Sequence, residues 1–348
     1  MKKAICAMLA LAMILVCASA ESLLDKFDMA GRIKSQENLY LVEKDGLWGI
    51  ADGDGGTVLA PQFEIVGDFE DGSATAYRDG KWGLISDTGE VLLKPTLRFE
   101  PQFMNGVAVA GKEDPSRPTG GISSNDGEYE VVYGVINRVG EIVIPIKYEC
   151  VEQDDVGETF MVMEDGLYGY LNGKGEWVIE PKYARANPFV DGHAAVSIRN
   201  MRVANENVSD PFYYVWGVID KTGKELIPLQ YMWVESGAGD IVIVGNDGYH
   251  YGYMDLTGKW VVEPKFNHAE LFEGGTAIAS IEKETGEDQC SGETSVYLYG
   301  VVGEDGEEIL PFEYSYIYRA NDGTLDCEKN GMRTFYRIED GKAVAIEE

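Results

Sequence analysis

An aromatic residue followed by glycine recurs along the chain in "LWGIAD", "KWGLIS", "VYGVIN", "LYGYLN", "VWGVID", "HYGYMD" and "LYGVVG". The pairs are Trp48-Gly49, Trp82-Gly83, Tyr133-Gly134, Tyr168-Gly169, Trp216-Gly217, Tyr251-Gly252 and Tyr299-Gly300. Seven residues after each aromatic stands a second glycine, from Gly55 to Gly306. Twelve or thirteen residues after it comes a proline, and fifteen after it another large apolar residue: Phe63, Leu97, Tyr148, Tyr183, Tyr231, Phe266 and Tyr314. A worn eighth copy is read at Tyr336, in "FYRIEDGKAVAI". Repeats of 34 to 51 residues are too short to bury an apolar face alone, so each must stack on its neighbours.

Each copy holds three candidate strands. Ahead of the aromatic-glycine strand lies an alternating run such as "NLYLVEK" or "HAAVSIR", the period-two pattern of a half-buried strand. Several of these runs lead into Asp45-Gly46, Asp79-Gly80, Asp165-Gly166, Asp247-Gly248 and Asn330-Gly331, the strongest short-range hairpin signals. A third strand follows the second glycine and is expected to stop at the proline, which cannot donate to a ladder. The chain is therefore expected to be all-β: about eight three-stranded antiparallel meanders in tandem over residues 38–346, forming a propeller-like toroid or an open β-solenoid.

The stretch "ADGDGGTVLAPQFE", residues 51–64, first suggests a calcium loop, because hard cations want clustered oxygens on a sharp turn. Its equivalents argue otherwise. Where this copy has Asp52 and Asp54, others have Ser86 and Thr88, Asn137 and Val139, or Asn172 and Lys174. Turn formers persist but the paired carboxylates do not, and the position that would need a bidentate Glu holds Phe63. The stretch is read as a hairpin turn, and no metal or cofactor site is expected.

Successive aromatics lie 34, 51, 35, 48, 35, 48 and 37 residues apart, so long and short spacings alternate and every second copy is 83 to 86 residues on. The excess sits in three insertions, residues 113–130, 200–212 and 283–295, all in the same hairpin of their copies. If copies are equivalent, these enlarged hairpins project from one side, where repeat proteins often bind.

Outside the repeats, "MKKAICAMLALAMILVCASA" has two lysines, an apolar run and Ala18-Ser19-Ala20, the layout of a secretory signal peptide cleaved after Ala20. Val16 occupies the place where a lipoprotein signal carries a small residue, which disfavours an anchor at Cys17. Residues 21–37 are read as a linker or short tether. Losing Lys2 and Lys3 takes the formal charge from −31 to −33, a field that repels phosphate backbones and makes nucleic acid an improbable partner. No segment of the mature chain is long and apolar enough to span a bilayer. Cys150, Cys290 and Cys327 remain after cleavage, and Cys150 and Cys327 are expected to stay apart.

Catalytic signatures are thin. His193, His250 and His268 fall in no metal-binding spacing, and no nucleophile elbow occurs. His193, in an alternating strand, is expected at the surface or hydrogen-bonded. Sixty acidic residues guarantee carboxylate pairs at glycosidase distance, so such a pair alone carries no weight. The signature aromatics are read as structural, with Trp233 and Tyr249 as candidates for exposed rings.

On its aromatic-glycine pairs the chain resembles the WG-repeat family over about residues 38–346, nearly the whole mature chain, with Tyr replacing Trp in several copies. The resemblance implies a repetitive β structure regarded as an interaction module, and it transfers no catalytic residues. The expected function is noncatalytic binding outside the cell or at its surface, with a protein or cell-envelope polymer as partner. A carbohydrate-active hydrolase using two carboxylates is the enzyme alternative.

Overall fold

A computed structural model describes residues 23–118, 129–200, 214–288 and 292–346. The expected signal peptide, Cys290 and nearly all of the second insertion lie outside these residues. The chain divides into two compact units, one of residues 1–165 and 171–176, the other of residues 166–170 and 177–348. The described residues form eight antiparallel sheets, seven of four strands and one, the third, of three. Three sheets lie in the first unit and four in the second, and the dividing line passes through the strands of the fourth.

The second sheet shows the plan: Ile65–Val66, Ser73–Arg78, Lys81–Ser86 and Val91–Leu97, in that spatial order. The last three are the expected meander. The first is an added short strand that begins two residues after the large apolar residue closing the previous sheet.

The signature glycine has a steric cause. In the first sheet Trp48 pairs with Phe63 and Ile50 with Leu59, so three residues of the outer strand, Ala60 to Gln62, face the single residue Gly49. The outer strand bulges over the glycine, and a Cβ there would lie 2.4 Å from the Leu59 carbonyl oxygen and 2.6 Å from the Pro61 nitrogen. All seven signature glycines meet a backbone atom at 2.3–2.9 Å in the same way. Pro61 sits inside the bulge, where no ladder bond asks for its missing N–H. This corrects the expectation that the strand stops at the proline: Thr57–Phe63 and Val91–Leu97 run two residues past it.

The eighth sheet confirms the link by exception. Its hairpin turn at Asn330-Gly331 and the pairing of Glu328 with Arg333 put Arg333, not Tyr336, in the aromatic column, with Thr334 in the glycine column. Without glycine or proline, Met332–Glu339 and Lys342–Ile346 pair in unbroken register. The spacing from Tyr299 to Arg333 is 34, matching the other short copies.

After each signature glycine two consecutive residues are buried, such as Ile50-Ala51, Leu84-Ile85 and Val218-Ile219. Neighbours in a strand point to opposite faces, so both faces of these sheets are covered. In the first unit Ile50, Leu59 and Phe63 pack on Ala74, Ala76 and Ile85 of the second sheet. In the second unit, apolar clusters join the fifth sheet to the sixth, the sixth to the seventh and the seventh to the eighth.

Of residues 21–37, expected as a linker or tether, the described part from Leu23 onward packs with the first sheet. Met29–Arg32 is its first strand, and Leu23 and Phe27 lie on Tyr40, Val42 and Ala51, covering the face turned away from the second sheet. The Lys26 ammonium donates to the carbonyls of Asp54 and Gly55, at 2.9 and 3.3 Å.

Of the five expected hairpin turns, Asp45-Gly46, Asp79-Gly80, Asp165-Gly166 and Asn330-Gly331 form with both residues at positive φ, 52–55° and 74–81°. Asp247-Gly248 does not. It lies in a five-residue loop between Ile241–Gly245 and Tyr251–Asp255, where the Asp247 carboxylate accepts the N–H groups of Tyr249 and His250. The first and third insertions continue the strands of their hairpins, with Tyr129 opposite Pro118 and Lys283 opposite Val296.

Candidate functional site

Register assembles a row across each sheet. In the fifth it runs Arg185, Ser197, Trp216, Tyr231; in the sixth Trp233, Gly245, Tyr251, Phe266; in the seventh His268, Ser280, Tyr299, Tyr314. In these rows the signature aromatic is third and the residue before it is small, as is Gly111 opposite Tyr133, whereas Trp48 and Trp82 stand opposite Glu43 and Tyr77. The ring folds onto that small residue: a Cβ on Gly245 would stand 3.3 Å from the Tyr251 ring, and one on Gly111 would stand 3.0 Å from that of Tyr133. Ser197 and Ser280, next to Trp216 and Tyr299, are fully buried.

The seven signature aromatics, Trp48, Trp82, Tyr133, Tyr168, Trp216, Tyr251 and Tyr299, are accordingly half-buried, and their glycines Gly49, Gly83, Gly134, Gly169, Gly217, Gly252 and Gly300 are buried. A stacking platform for sugars would show open ring faces, so these columns serve the scaffold.

The first position of the row is different; the sequence singled out its Trp233 as an exposed ring but not the series to which it belongs. On the second unit it is filled by Arg185, Trp233, His268 and Tyr316, each opening the first strand of its sheet and each exposed. Trp233 is 44% and Tyr316 46% accessible, large values for an indole and a phenol. Two of the four planes are propped from behind. The Trp233 ring lies 6.0 Å from that of Trp216 at 48°, and the Arg185 guanidinium lies 4.6 Å from the Tyr214 ring centroid. His268 Nε2 is 3.6 Å from a Glu270 carboxylate oxygen. In the first unit the same position holds Met29, Ile65 and, in the fourth sheet, Cys150, without the planar side chains. The signal available in sequence was a spacing: each of these residues lies two positions after the large apolar column. Tyr249, the other candidate exposed ring, is exposed in the sixth sheet's hairpin loop.

The remaining chemical candidates are occupied or unsuited. Asp52 spends one carboxylate oxygen on the N–H groups of Asp54 and Gly56, and Asp220 and Asp255 do the same in their turns. Hydrogen bonds from Thr222 and Thr257 hold the last two carboxyls below the usual range. Among the described residues no group of three or more His, Cys, Asp or Glu side chains is placed to hold a metal.

His193, expected at the surface or satisfied, is buried with neither ring nitrogen hydrogen-bonded, because its strand is covered on both faces. Cys150 and Cys327 are free thiols, as expected. Burial pushes Cys150 up to about 11 and Cys327 up to about 12, so both stay protonated near neutral pH. Among the described residues no helix is long and apolar enough to cross a membrane.

No curated protein matches the sequence. Among solved structures, BamB from Moraxella catarrhalis is 12% identical over 89% of this chain and 93% of its own, with a TM-score of 0.30. Kluyveromyces lactis Hsv2p is 10% identical over 80% and 96%, with a TM-score of 0.36. A eukaryotic initiation factor is 8% identical over 82% and 89%, with a TM-score of 0.37. The WG containing repeat matches residues 48–82, 133–158, 168–201, 216–249, 251–283 and 299–331, more than half of the chain. These stretches begin on the signature aromatics whose glycines lie under the outer-strand bulges, and the chain belongs to the WG containing repeat family.

Proposed function

We propose that the chain is a noncatalytic binding protein, exported by a bacterium and held at or released from its surface, with a protein or an envelope polymer as ligand. The observation that carries this reading is the repetition of one exposed, planar position on four successive sheets, Arg185, Trp233, His268 and Tyr316. A scaffold whose both-sided burial fixes each strand presents such side chains at set places, so weak contacts on separate sheets add in one encounter. Export is supported by the lysines, apolar run and small-residue site of residues 1–20.

The test has two readouts. Mass spectrometry of the protein produced in a bacterial host is expected to find it outside the cytoplasm with Glu21 as its first residue; an intracellular chain that retains residues 1–20 contradicts export. Sedimentation with washed cell envelopes is expected to retain the full chain, and its staying wholly in the supernatant contradicts surface binding.

A further inference from the structure

We propose that the file Arg185, Trp233, His268 and Tyr316 on the second unit docks a basic, proline-rich peptide in the polyproline II conformation. This rests on the binding reading above and gives it a ligand chemistry.

The file is regular because its members are equivalent. Each is the first residue of its sheet's first strand, opposite Ser197, Gly245, Ser280 and Glu328 in turn. The sheets carrying them are joined face to face by shared apolar clusters. Sheets packed this way lie about 10 Å apart, and that is the interval the proposal assigns to the planar side chains. A polyproline II helix rises about 3.1 Å per residue with three residues per turn, so it repeats at about 9 Å. Every third residue of such a ligand therefore meets the next sheet with the same face. An extended strand, with its two-residue alternation, does not keep that phase.

Aromatic-lined grooves suit this ligand because a preformed helix loses little entropy on docking and prolyl rings pack on flat side chains. Trp233 and Tyr316 supply such faces while remaining open to solvent. The charge pattern selects the residues between the prolines. Glu235 and Glu270 stand exposed two positions after Trp233 and His268, within a chain of formal charge −31. Lysine or arginine in the ligand pairs with these carboxylates, whereas Arg185 repels a basic residue and so fixes which end of the peptide lies over the fifth sheet.

The probe is a fluorescein-labelled dodecapeptide of Pro-Pro-Lys repeats, titrated by anisotropy with the full chain. A Gly-Gly-Lys dodecapeptide of the same charge is the control. The expected result is binding at least tenfold tighter for the proline peptide. Trp233→Ala and Tyr316→Ala should each weaken it about tenfold, and Glu270→Gln should reduce its salt dependence. Trp233→Phe, which keeps a ring, is expected to restore most of the affinity and separates a lost contact from a damaged fold. Equal binding of the two peptides, or an unchanged Trp233→Ala, overturns the proposal.

If neither peptide binds but washed envelope polysaccharide does, and Trp233→Ala abolishes that, the file takes a sugar polymer: the peptide proposal fails while the binding reading stands. If peptide, polysaccharide and intact envelopes all fail to bind, both fail.

Discussion

At the scale of single residues, the family's defining pair divides its labour. Glycine is required because the outer strand's backbone passes where a Cβ would be, and in the third, fifth, sixth and seventh sheets the aromatic stands beside a small residue on the adjacent strand. Gly217 illustrates the first half, with the Ile227 carbonyl oxygen 2.5 Å from where a Cβ would stand. Gly217→Ala is expected to cost about 1–3 kcal/mol, since the obstacle is backbone that cannot rotate aside. Thr334→Ala, at the corresponding place in the bulge-free eighth sheet, should stay within about 0.5 kcal/mol; thermal unfolding of the two variants checks the contrast. Asp247 offers a pH test. Its hydrogen bonds from the His250 ring and from the N–H groups of Tyr249 and His250 lower its carboxyl from 3.8 to about 2. A depressed folded value means that the carboxylate's contribution is complete above the unfolded value and is lost as pH falls toward 2. An NMR titration should place the Asp247 midpoint near 2 and show the 246–250 loop loosening below pH 4; a midpoint at 3.8 contradicts the capped loop.

At the scale of elements, the strands were largely legible and their boundaries were not. The three strands of each copy followed from period-two runs and Asp-Gly or Asn-Gly turns, as at Asp79-Gly80 and Asn330-Gly331. The short first strands were hidden, because two-residue pieces such as Ile65–Val66 or His268–Ala269 have no periodicity to read. The eighth copy was misaligned because Tyr336 is the nearer aromatic, while the turn, which fixes register, points to Arg333. The cap was missed for a related reason: Leu23 and Phe27 gain their role only from the sheet face that they cover. Leu23→Ala is expected to destabilise the first unit by about 2–5 kcal/mol, because a fully buried side chain leaves a cavity over Tyr40, Val42 and Ala51. Hydrogen exchange should then accelerate in Leu39–Lys44 and leave the second unit unchanged; uniform protection contradicts the cap. Neighbouring sheets also carry matched polar pairs. Lys147 meets Glu164 at 2.5 Å, and the reversed pair Glu313 and Lys329 meets at 2.6 Å. Exposed pairs of this kind contribute about 0–1 kcal/mol and select the neighbour more than they hold it.

At the scale of the molecule, the proposed binding role rests on the repeated frame, and the candidate surface arises from repetition itself. The exposed file was invisible as a motif because Arg185, Trp233, His268 and Tyr316 share no residue type; only equivalent register shows that they are one feature. Under the proposed binding role its consequence is additive affinity, since each sheet would contribute one contact to a ligand that crosses several. The direct test is retention on washed bacterial envelopes by the full chain and by variants carrying Trp233→Ala, Trp233→Ala with Tyr316→Ala, and both with His268→Ala. The account predicts a loss of about fivefold to tenfold at each step, with melting curves unchanged, as for contacts worth about 1 kcal/mol or more. Retention that is indifferent to all three substitutions would contradict it and move recognition away from the file.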